Sequence, residues 1–294
     1  MPTLRRASTP MSGALPLLLG ALLLIGFGGP RAAGAAAEDC PECTAFYGLQ
    51  PHKLNYALVL VHDGVRPPGA RESDGITLPP DNRLADEAKF QISLKARLPG
   101  GPPWYLGYTQ KSFWQIYDGP HSRPFRESNY NPELFMDWNG PLGLRPEWTL
   151  RYGLEHESNG QTIERSRSWN RAYLWPRFEA DRYSLSLKVW QRFPEDEKES
   201  PTDTQGDENR QIVDYLGRFE AYAAWTPFSG LDLSAMVRKG TLDPSGTYEL
   251  NAFTDLGQGW RSFRLMAQYF SGYGESLFDY NHRVDKVGVG FGFW

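Results

Sequence analysis

The feature that most constrains this chain is an alternation of apolar and polar residues with a period of two. In residues 89–98 every second side chain, from Phe90 to Leu98, is apolar, and the residues between are lysine, arginine, serine or glutamine. The same alternation returns in residues 183–189 and 218–225. Successive side chains of a β-strand point to opposite faces, whereas a helix repeats every 3.6 residues, so the pattern predicts strands.

The whole chain contains twelve such stretches, each close to the ~10 residues of a membrane-spanning strand. Short turns, such as residues 99–102 and 227–230, alternate with long polar loops near residues 62–88, 116–129 and 194–212. The predicted strands are residues 54–61, 89–98, 103–115, 130–138, 147–158, 168–178, 182–193, 213–226, 230–239, 247–254, 260–271 and 283–294. An even number of strands with alternating short and long connections is typical of an outer-membrane β-barrel.

The predicted fold is therefore all-β: a twelve-stranded antiparallel transmembrane β-barrel. A closed barrel is the one arrangement in which strands satisfy every backbone hydrogen bond inside a bilayer. Aromatic residues, 14% of the chain, would form the girdles at the two membrane surfaces. A secreted β-sandwich or a soluble barrel is the competing interpretation. The N-terminal export signal and the loop asymmetry favour the membrane barrel.

Residues 1–37 have the organisation of a secretory signal peptide. Two arginines precede an apolar run over residues 15–25, and small residues follow as far as Ala37. This order predicts cleavage after Ala37, and the run is shorter than the ~20 residues that a membrane-spanning helix requires. The rest is predicted to form a periplasmic N-terminal segment, residues 38–53, and a single barrel domain, residues 54–294.

Cysteine content and charge narrow the remaining classes. The only cysteines, Cys40 and Cys43, follow the predicted cleavage site. A local disulfide or an incidental pair is favoured over a redox or metal site, because no βαβ pattern follows and no second pair completes a zinc site. The chain has 31 Lys and Arg against 35 Asp and Glu, a net charge of −4, and no basic cluster. Nucleic acid is therefore not an expected partner.

Three polar residues have the parity of the lipid-facing side. In the fifth predicted strand the outward parity of Leu154 continues to His156 and Ser158, and in the sixth Asn170 shares the parity of Leu174. Neighbours on one strand face lie ~6.5–7 Å apart at the backbone, so an imidazole can approach a hydroxyl. These types of residue match a nucleophile, its base and a group that orients the base.

The competing interpretation of these three residues is structural. They end their strands, where they would lie at the level of the lipid headgroups and any polar side chain is tolerated. Spacing alone leaves the catalytic and structural interpretations equally open. The sequence contains no Gly-x-Ser-x-Gly and no His-Glu-x-x-His motif, so two common hydrolase classes are not supported.

Four segments around these residues resemble the outer membrane phospholipase A family. They are His156-Glu-Ser-Asn-Gly160, Arg165-Ser-Arg-Ser-Trp-Asn-Arg171, Pro124-Phe-Arg-Glu-Ser-Asn-Tyr130 and Tyr273-Gly-Glu-Ser-Leu-Phe-Asp-Tyr280. The resemblance covers residues 100–294, while residues 38–99 match only in general strand character. It implies a twelve-stranded barrel in the bacterial outer membrane that hydrolyses acyl ester bonds of phospholipids, requires calcium and is active as a homodimer.

The resemblance also implies roles for individual residues. Ser158 would be the nucleophile, His156 the general base and Asn170 the residue that orients the histidine. One calcium ion per active site would lie beside the serine and, with a backbone amide, stabilise the oxyanion. Its protein ligands would be the hydroxyl of Ser166, the backbone carbonyl of Gln161 and the backbone carbonyl of Ser122 of the partner subunit. Hard oxygen ligands suit calcium, and water would complete its shell.

Two positions differ from the family's usual residues, and a third would place an amide towards lipid. Glu157 stands where the family usually has aspartate, but its parity points inward. Gln161 stands where arginine is usual, but it would act through its backbone. Gln110 shares the parity of Tyr108 and Trp114, so its amide would face lipid, which is costly unless it is paired. The resemblance places a glutamine here in the subunit contact, and the alternative is an interior residue after a register slip.

The predicted function is a calcium-dependent phospholipase of the outer membrane with A1 activity and also A2 and lysophospholipase activity. Its phospholipid substrate would enter laterally from the bilayer, since the site points outward. A non-catalytic structural barrel or narrow pore is the alternative. Inward charges such as Arg151, Lys188 and Arg218 would pair inside the barrel and block flow, which disfavours a pore. A soluble esterase would need a cleft and lid that the sequence does not indicate.

Overall fold

The computed structural model describes residues 48–64, 71–73, 76–78, 84–139, 147–163, 165–198, 200, 203, 206–257 and 263–293. The predicted signal peptide, both cysteines and most of the predicted periplasmic segment lie outside these residues. No helix in the described part of the chain is long and apolar enough to cross a membrane.

Twelve antiparallel strands form one closed sheet. Each pairs with the next strand in the chain, and the last pairs with the first, which confirms the predicted barrel. The strands are β1 (Asn55–Asp63), β2 (Asp86–Arg97), β3 (Trp104–Trp114), β4 (Phe125–Asn139), β5 (Trp148–Ser158), β6 (Ser168–Ala180), β7 (Tyr183–Arg192), β8 (Phe219–Phe228), β9 (Leu231–Arg238), β10 (Thr247–Asp255), β11 (Phe263–Gly272) and β12 (Val284–Phe293).

The two faces of each strand differ in chemistry. In β5, Arg151 is 1% exposed and Glu155 4%, whereas Leu154, which has the opposite parity, is 51% exposed. In β7 the same alternation exposes Leu185 and Leu187. Large apolar side chains on the outer face are unfavourable in water but match the hydrocarbon of a bilayer. The polar residues that a soluble protein would place outside therefore fill the inside of the barrel.

Ion pairs fill the barrel interior. Glu155 lies 2.7 Å from the Lys188 ammonium. Glu275 lies 3.0 Å from Lys89 and 2.6 Å from Lys286. An unpaired charge in such a low-dielectric interior destabilises a fold by several kcal/mol, so each buried charge requires a partner. The interior is thus a packed network of paired charges.

The described part of the N-terminal segment packs against the barrel. A short strand, Leu49–Pro51, pairs with Leu94–Ala96 of β2. His52 stacks on the ring of Phe135, with centroids 4.9 Å apart, and its Nε2 lies 3.1 Å from a carboxylate oxygen of Glu133. Contacts with the barrel therefore begin before its first strand.

The predicted strand at 213–226 is wrong at its start. A short helix, α1 (Ile212–Leu216), comes first, and β8 begins only at Phe219. The two buried residues of α1, Ile212 and Leu216, are four residues apart and lie on one helix face. Gly217 ends the helix with φ of +76°, a conformation that favours glycine.

Strand β4 begins at Phe125, inside the predicted loop 116–129. Its first inward residues, Glu127 and Asn129, are polar, although both are buried. Because the interior of this barrel is itself polar, the strand carries no apolar–polar alternation here. The hydrophobic pattern therefore could not reveal this part of the strand.

Two smaller differences concern a loop and an interior charge. Arg71–Ser73 and Ile76–Leu78 pair as a short hairpin within the predicted loop at 62–88. Arg218 was expected inside the barrel but is exposed, and it donates to the side-chain oxygen of Gln191 at 3.1 Å. It precedes β8, so strand parity does not govern its direction.

Candidate active site

The outward polar residues of β5 and β6 meet at the strand ends that adjoin the loop joining these two strands. In the register of the two strands His156 lies opposite Asn170, and Ser158 lies opposite Ser168. The Nδ1 atom of His156 is 2.9 Å from Oδ1 of Asn170. The structure therefore brings these two predicted site residues into direct contact.

Ser158 lies on the same outer face, two residues beyond His156, and is half-buried. The backbone carbonyl of His156 accepts a hydrogen bond from Nδ2 of Asn131 at 2.8 Å, which ties this end of β5 to β4. The imidazole of His156 bonds to Asn170, and within the described ranges no hydrogen bond joins it to the hydroxyl of Ser158. In many enzymes this contact between nucleophile and base tightens only around the substrate. The three residues have the order of a nucleophile, a base and an orienting group along one face.

Glu157, between the base and the candidate nucleophile, points into the barrel. Its carboxylate accepts hydrogen bonds from Nε1 of Trp169 at 3.0 Å and from the guanidinium of Arg171 at 2.9 Å. Both partners belong to β6 and lie on the inner face next to Asn170. Glu157 therefore links β5 to β6 on the inner face of the sheet, opposite to the face that carries His156 and Asn170.

A carboxylate that sequence reasoning missed lies behind Asn170. Nδ2 of Asn170 donates to Oε1 of Glu195, in the connection after β7, at 3.2 Å. Partial burial raises the pKa of Glu195 above its ordinary value, while the nearby guanidinium of Arg192 acts to lower it. The outward parity of Leu187 and Val189, continued past the strand end, reaches Glu195 and was a usable signal.

The loop between β5 and β6 is organised by Asn159, which is 2% exposed. Its Oδ1 accepts from the backbone amide of Arg167 at 2.9 Å, and its Nδ2 donates to the carbonyl of Arg165 at 2.9 Å. Gly160 follows with φ of +60°, in the left-handed region. These bonds hold the loop that carries two of the predicted calcium ligands.

The predicted calcium ligands lie on two loops. Ser166 donates its hydroxyl to Oε2 of Glu208 at 2.8 Å, so a carboxylate that the sequence did not indicate lies beside a predicted ligand. Gln161, in the same loop, is exposed. Ser122, between β3 and β4, has φ of +63° and follows a single turn of 3-10 helix, Gly119–His121.

These groups suit a hard cation. Within the described ranges no cluster of three or more His, Cys, Asp or Glu side chains forms a metal site. The predicted set does not need one, because it consists of a hydroxyl and backbone carbonyls, which calcium accepts as ligands. The Ser166 hydroxyl keeps lone pairs while it donates to Glu208, so oxygen donors at this loop fit the ion.

Gln110 lies on the outer face of β3, in a row of polar side chains. The hydroxyl of Tyr108 donates to its Oε1 at 3.2 Å, and its Nε2 donates to the hydroxyl of Ser112 at 3.0 Å. This excludes the interior alternative that a register slip would produce. The row borders the candidate site, because Tyr130 of β4 lies opposite both Gln110 and Ser158.

Comparison with known sequences identifies the family. The model of the phospholipase A1 family matches residues 36–293. Phospholipase A1 of Escherichia coli K12 is 32% identical over 258 residues, which cover 83% of this chain and 81% of that relative. Phospholipase A1 of Salmonella typhimurium is 34% identical over 224 residues, covering 71% and 70%.

Comparison with solved structures agrees. Outer membrane phospholipase A from Escherichia coli matches with a TM-score of 0.67 and 29% identity, covering 84% of this chain and 92% of that one. The Salmonella typhi outer membrane phospholipase, solved as a dimer with bound calcium, matches with the same TM-score and identity, covering 84% and 93%. The chain therefore belongs to the phospholipase A1 family, and it is a bacterial outer-membrane β-barrel enzyme.

Proposed function

We propose that this protein hydrolyses the acyl ester bonds of glycerophospholipids by a Ser-His-Asn mechanism. Ser158 is the nucleophile, His156 the general base and Asn170 the group that orients the base. The observation that carries the proposal is the 2.9 Å hydrogen bond between His156 and Asn170, formed on the outer face beside Ser158. A solved relative from Escherichia coli, described as an active-site mutant with asparagine replaced by alanine, supports a role for such an amide.

The chemistry proceeds by acyl transfer. Ser158 Oγ attacks the ester carbonyl carbon while Nε2 of His156 accepts the hydroxyl proton. The bond to the glycerol oxygen then breaks, that oxygen takes the proton from His156, and a lysophospholipid leaves. A water molecule gives a proton to His156 and attacks the acyl-enzyme, after which the fatty acid departs and Ser158 regains its proton.

The direction of the site supports lateral entry of the substrate. His156 and Ser158 face the outside of the barrel, where exposed apolar side chains such as Leu154 mark the lipid-facing surface. A phospholipid in the outer leaflet reaches this face without crossing the barrel. The interior, by contrast, contains paired charges such as Glu155 and Lys188, so nothing favours the alternative of a pore.

Calcium is part of the proposal, as the solved relative from Salmonella typhi contains it. The hydroxyl of Ser166, the carbonyl of Gln161 and the carbonyl of Ser122 of the partner subunit would hold one ion per active site. When bound, calcium supplies positive charge that, with a backbone amide, stabilises the oxyanion of the tetrahedral intermediate. Glu208 orients the Ser166 hydroxyl through their 2.8 Å hydrogen bond.

The active form of the protein is proposed to be a homodimer, because the same relative was solved as a dimer. Gln110 lies on β3, two strands from Ser158 on β5, and Tyr130 lies between them in the register of the sheet. A contact at Gln110 would therefore place the second subunit next to the active site. Activity would then depend on the dimer, and keeping monomers apart would keep the enzyme inactive.

We also propose how the chain is processed on export and which ester bonds the enzyme hydrolyses. Residues 1–37 would be removed on export, residues 38–53 would form a periplasmic segment, and residues 54–294 would form the barrel domain. The same active site would act on both acyl positions and on lysophospholipids, since it contacts the ester from an open outer face.

The test is release of fatty acid from phospholipid in mixed micelles by the purified protein. We expect hydrolysis with calcium, none with a chelator, and none from Ser158→Ala. Ser184→Ala is the matched control, because Ser184 is a half-buried serine of β7 that belongs to no candidate site, and this variant should retain activity. Substrates labelled at one acyl position would separate A1 from A2 activity. Unchanged hydrolysis by Ser158→Ala would refute the mechanism.

A further inference from the structure

One amide bridges the candidate base and a carboxylate. Asn170 contacts Nδ1 of His156 through Oδ1 at 2.9 Å and Oε1 of Glu195 through Nδ2 at 3.2 Å. The arrangement is tied to the sheet, since the backbone amide of Phe193 donates to the carbonyl of Asn170 at 2.9 Å. Two residues beyond Phe193 along an extended chain, Glu195 returns to the same outer side. The contact thus follows from strand geometry.

The carboxylate determines which way the amide faces. An ionised carboxylate only accepts hydrogen bonds, so Asn170 must turn its NH₂ group to Glu195 and its oxygen to His156. The imidazole then carries its hydrogen on Nδ1, which leaves Nε2 free to accept the proton of Ser158. In the flipped orientation the NH₂ group would face Nδ1, the hydrogen would lie on Nε2, and the ring could not act as the base.

The carboxylate also supplies charge that asparagine lacks. When the imidazole takes up a proton it becomes a cation, and a neutral amide stabilises that cation less than a carboxylate would. A negative group on the far side of the amide polarises it, because hydrogen bonds in a chain strengthen one another. Arg192 adds positive charge near Glu195, and Asp207 and Glu208 add negative charge.

We propose that Glu195 is a positioning residue that acts on His156 through Asn170. It holds the amide in the productive orientation and adds negative charge behind it. Glu195 thus fixes the orientation of Asn170, and Asn170 fixes the tautomer of His156. The inference rests on the proposed function, because it assigns a role relative to His156 as the base. It extends that function by one residue, located in the connection after β7.

The first experiment separates a positioning role from a structural one. Glu195→Ala should lower kcat about tenfold with KM changed less than about twofold, since substrate contacts are untouched. Glu195→Gln, which keeps an acceptor but loses the charge and permits a flipped amide, should fall between Glu195→Ala and the parent. Glu197→Gln is the matched control, because this exposed neighbour pairs with Arg210 and should keep the parental kcat.

The second experiment uses the sign of a coupling. In Asn170→Asp two carboxylates face each other, so adding Glu195→Gln should raise kcat about tenfold, the reverse of its effect beside Asn170. In Asn170→Ala the same change should have no effect. A merely structural Glu195 would lower kcat equally in every background, and that result, or parental kcat in Glu195→Ala, would overturn the inference. Full activity of Ser158→Ala would instead overturn the proposed function itself.

Discussion

Two polar regions of this barrel follow from the same alternation along the strands. They differ in whether their polar groups are fully paired. On the inner face Glu155 is 4% exposed and forms ion pairs with Lys188 and Arg171. On the outer face the next residue, His156, is half-buried and bonded to the neutral amide of Asn170. One step along a strand thus separates a charge saturated by partners from a group that still has a free ring nitrogen.

The difference shows how one strand serves both stability and chemistry. A carboxylate held by two cations in a low-dielectric interior is stabilised as an ion and is not available for proton exchange. An imidazole whose one side-chain partner is a neutral amide keeps its second ring nitrogen available to a reacting group. We therefore expect inner-face substitutions to change the free energy of unfolding and outer-face substitutions to change the rate.

The largest expected effect is on the outer face. His156→Ala should lower kcat by at least about 100-fold, because general base catalysis contributes roughly 10²–10⁴. The free energy of unfolding should change by less than about 1 kcal/mol, since His156 makes a single side-chain bond. Kinetics in mixed micelles and urea unfolding in detergent measure the two quantities. His62→Ala, an exposed histidine of β1, is the control, and comparable losses of kcat in both variants would contradict the comparison.

The next largest effect is on the inner face. Glu275→Ala leaves Lys89 and Lys286 without this partner and should lower the free energy of unfolding by about 3–5 kcal/mol. The activity of the folded fraction should stay at the parental level. Glu179→Ala is the matched control, because its pair with Arg177 lies at the surface and should contribute less than about 1 kcal/mol. Equal destabilisation by both variants would show that the interior network is not what stabilises the barrel.

A smaller effect concerns the calcium loop. Ser166→Ala removes a predicted ligand and the partner of Glu208, so the calcium concentration for half-maximal activity should rise about tenfold. Calcium titration of fatty-acid release measures it, and the calcium-induced shift in melting temperature provides a readout independent of activity. Ser245→Ala, in a loop between β9 and β10, should leave both unchanged. An unchanged titration for Ser166→Ala would remove this residue from the ligand set.

The smallest expected effect concerns the subunit contact. Gln110→Ala should weaken the dimer by about 1 kcal/mol, close to a fivefold rise in its dissociation constant, as one hydrogen bond in a membrane environment contributes about that much. Energy transfer between labelled subunits in detergent, with calcium and a non-hydrolysable lipid, measures it. Leu185→Ala, an exposed apolar residue of β7, is the control. A parental dissociation constant for Gln110→Ala would move the contact elsewhere on the barrel.

Much of this architecture is predictable because membrane strands obey one simple rule. Parity placed Arg151 and Glu155 inside and Leu154 outside, and the structure agrees. The same rule placed His156 and Asn170 on one outer face of neighbouring strands, and their 2.9 Å contact depends only on that rule and on the register. The roles of these residues came from the resemblance to a family, since spacing alone left a structural interpretation equally open.

The features that were not predicted lie where the alternation of apolar and polar residues is absent. β4 extends back to Phe125 through polar residues on its inner face, so hydrophobicity did not mark it. The helix Ile212–Leu216 buries two residues four apart, a spacing that a search for period two passes over. Glu208 reaches Ser166 from a loop 42 residues along the chain, a distance over which no local pattern carries information.

The sequence by itself determined the number of barrel strands, the face on which most of their residues lie and, through its likeness to a known family, the residues proposed to carry chemistry. Period two suffices for this because lipid outside and paired charges inside impose opposite requirements on successive side chains. Only the tertiary structure decided which loop side chains meet at the site, such as Glu208 beside Ser166. Loop residues meet through three-dimensional packing of distant segments, and no periodicity of the local chain encodes those contacts.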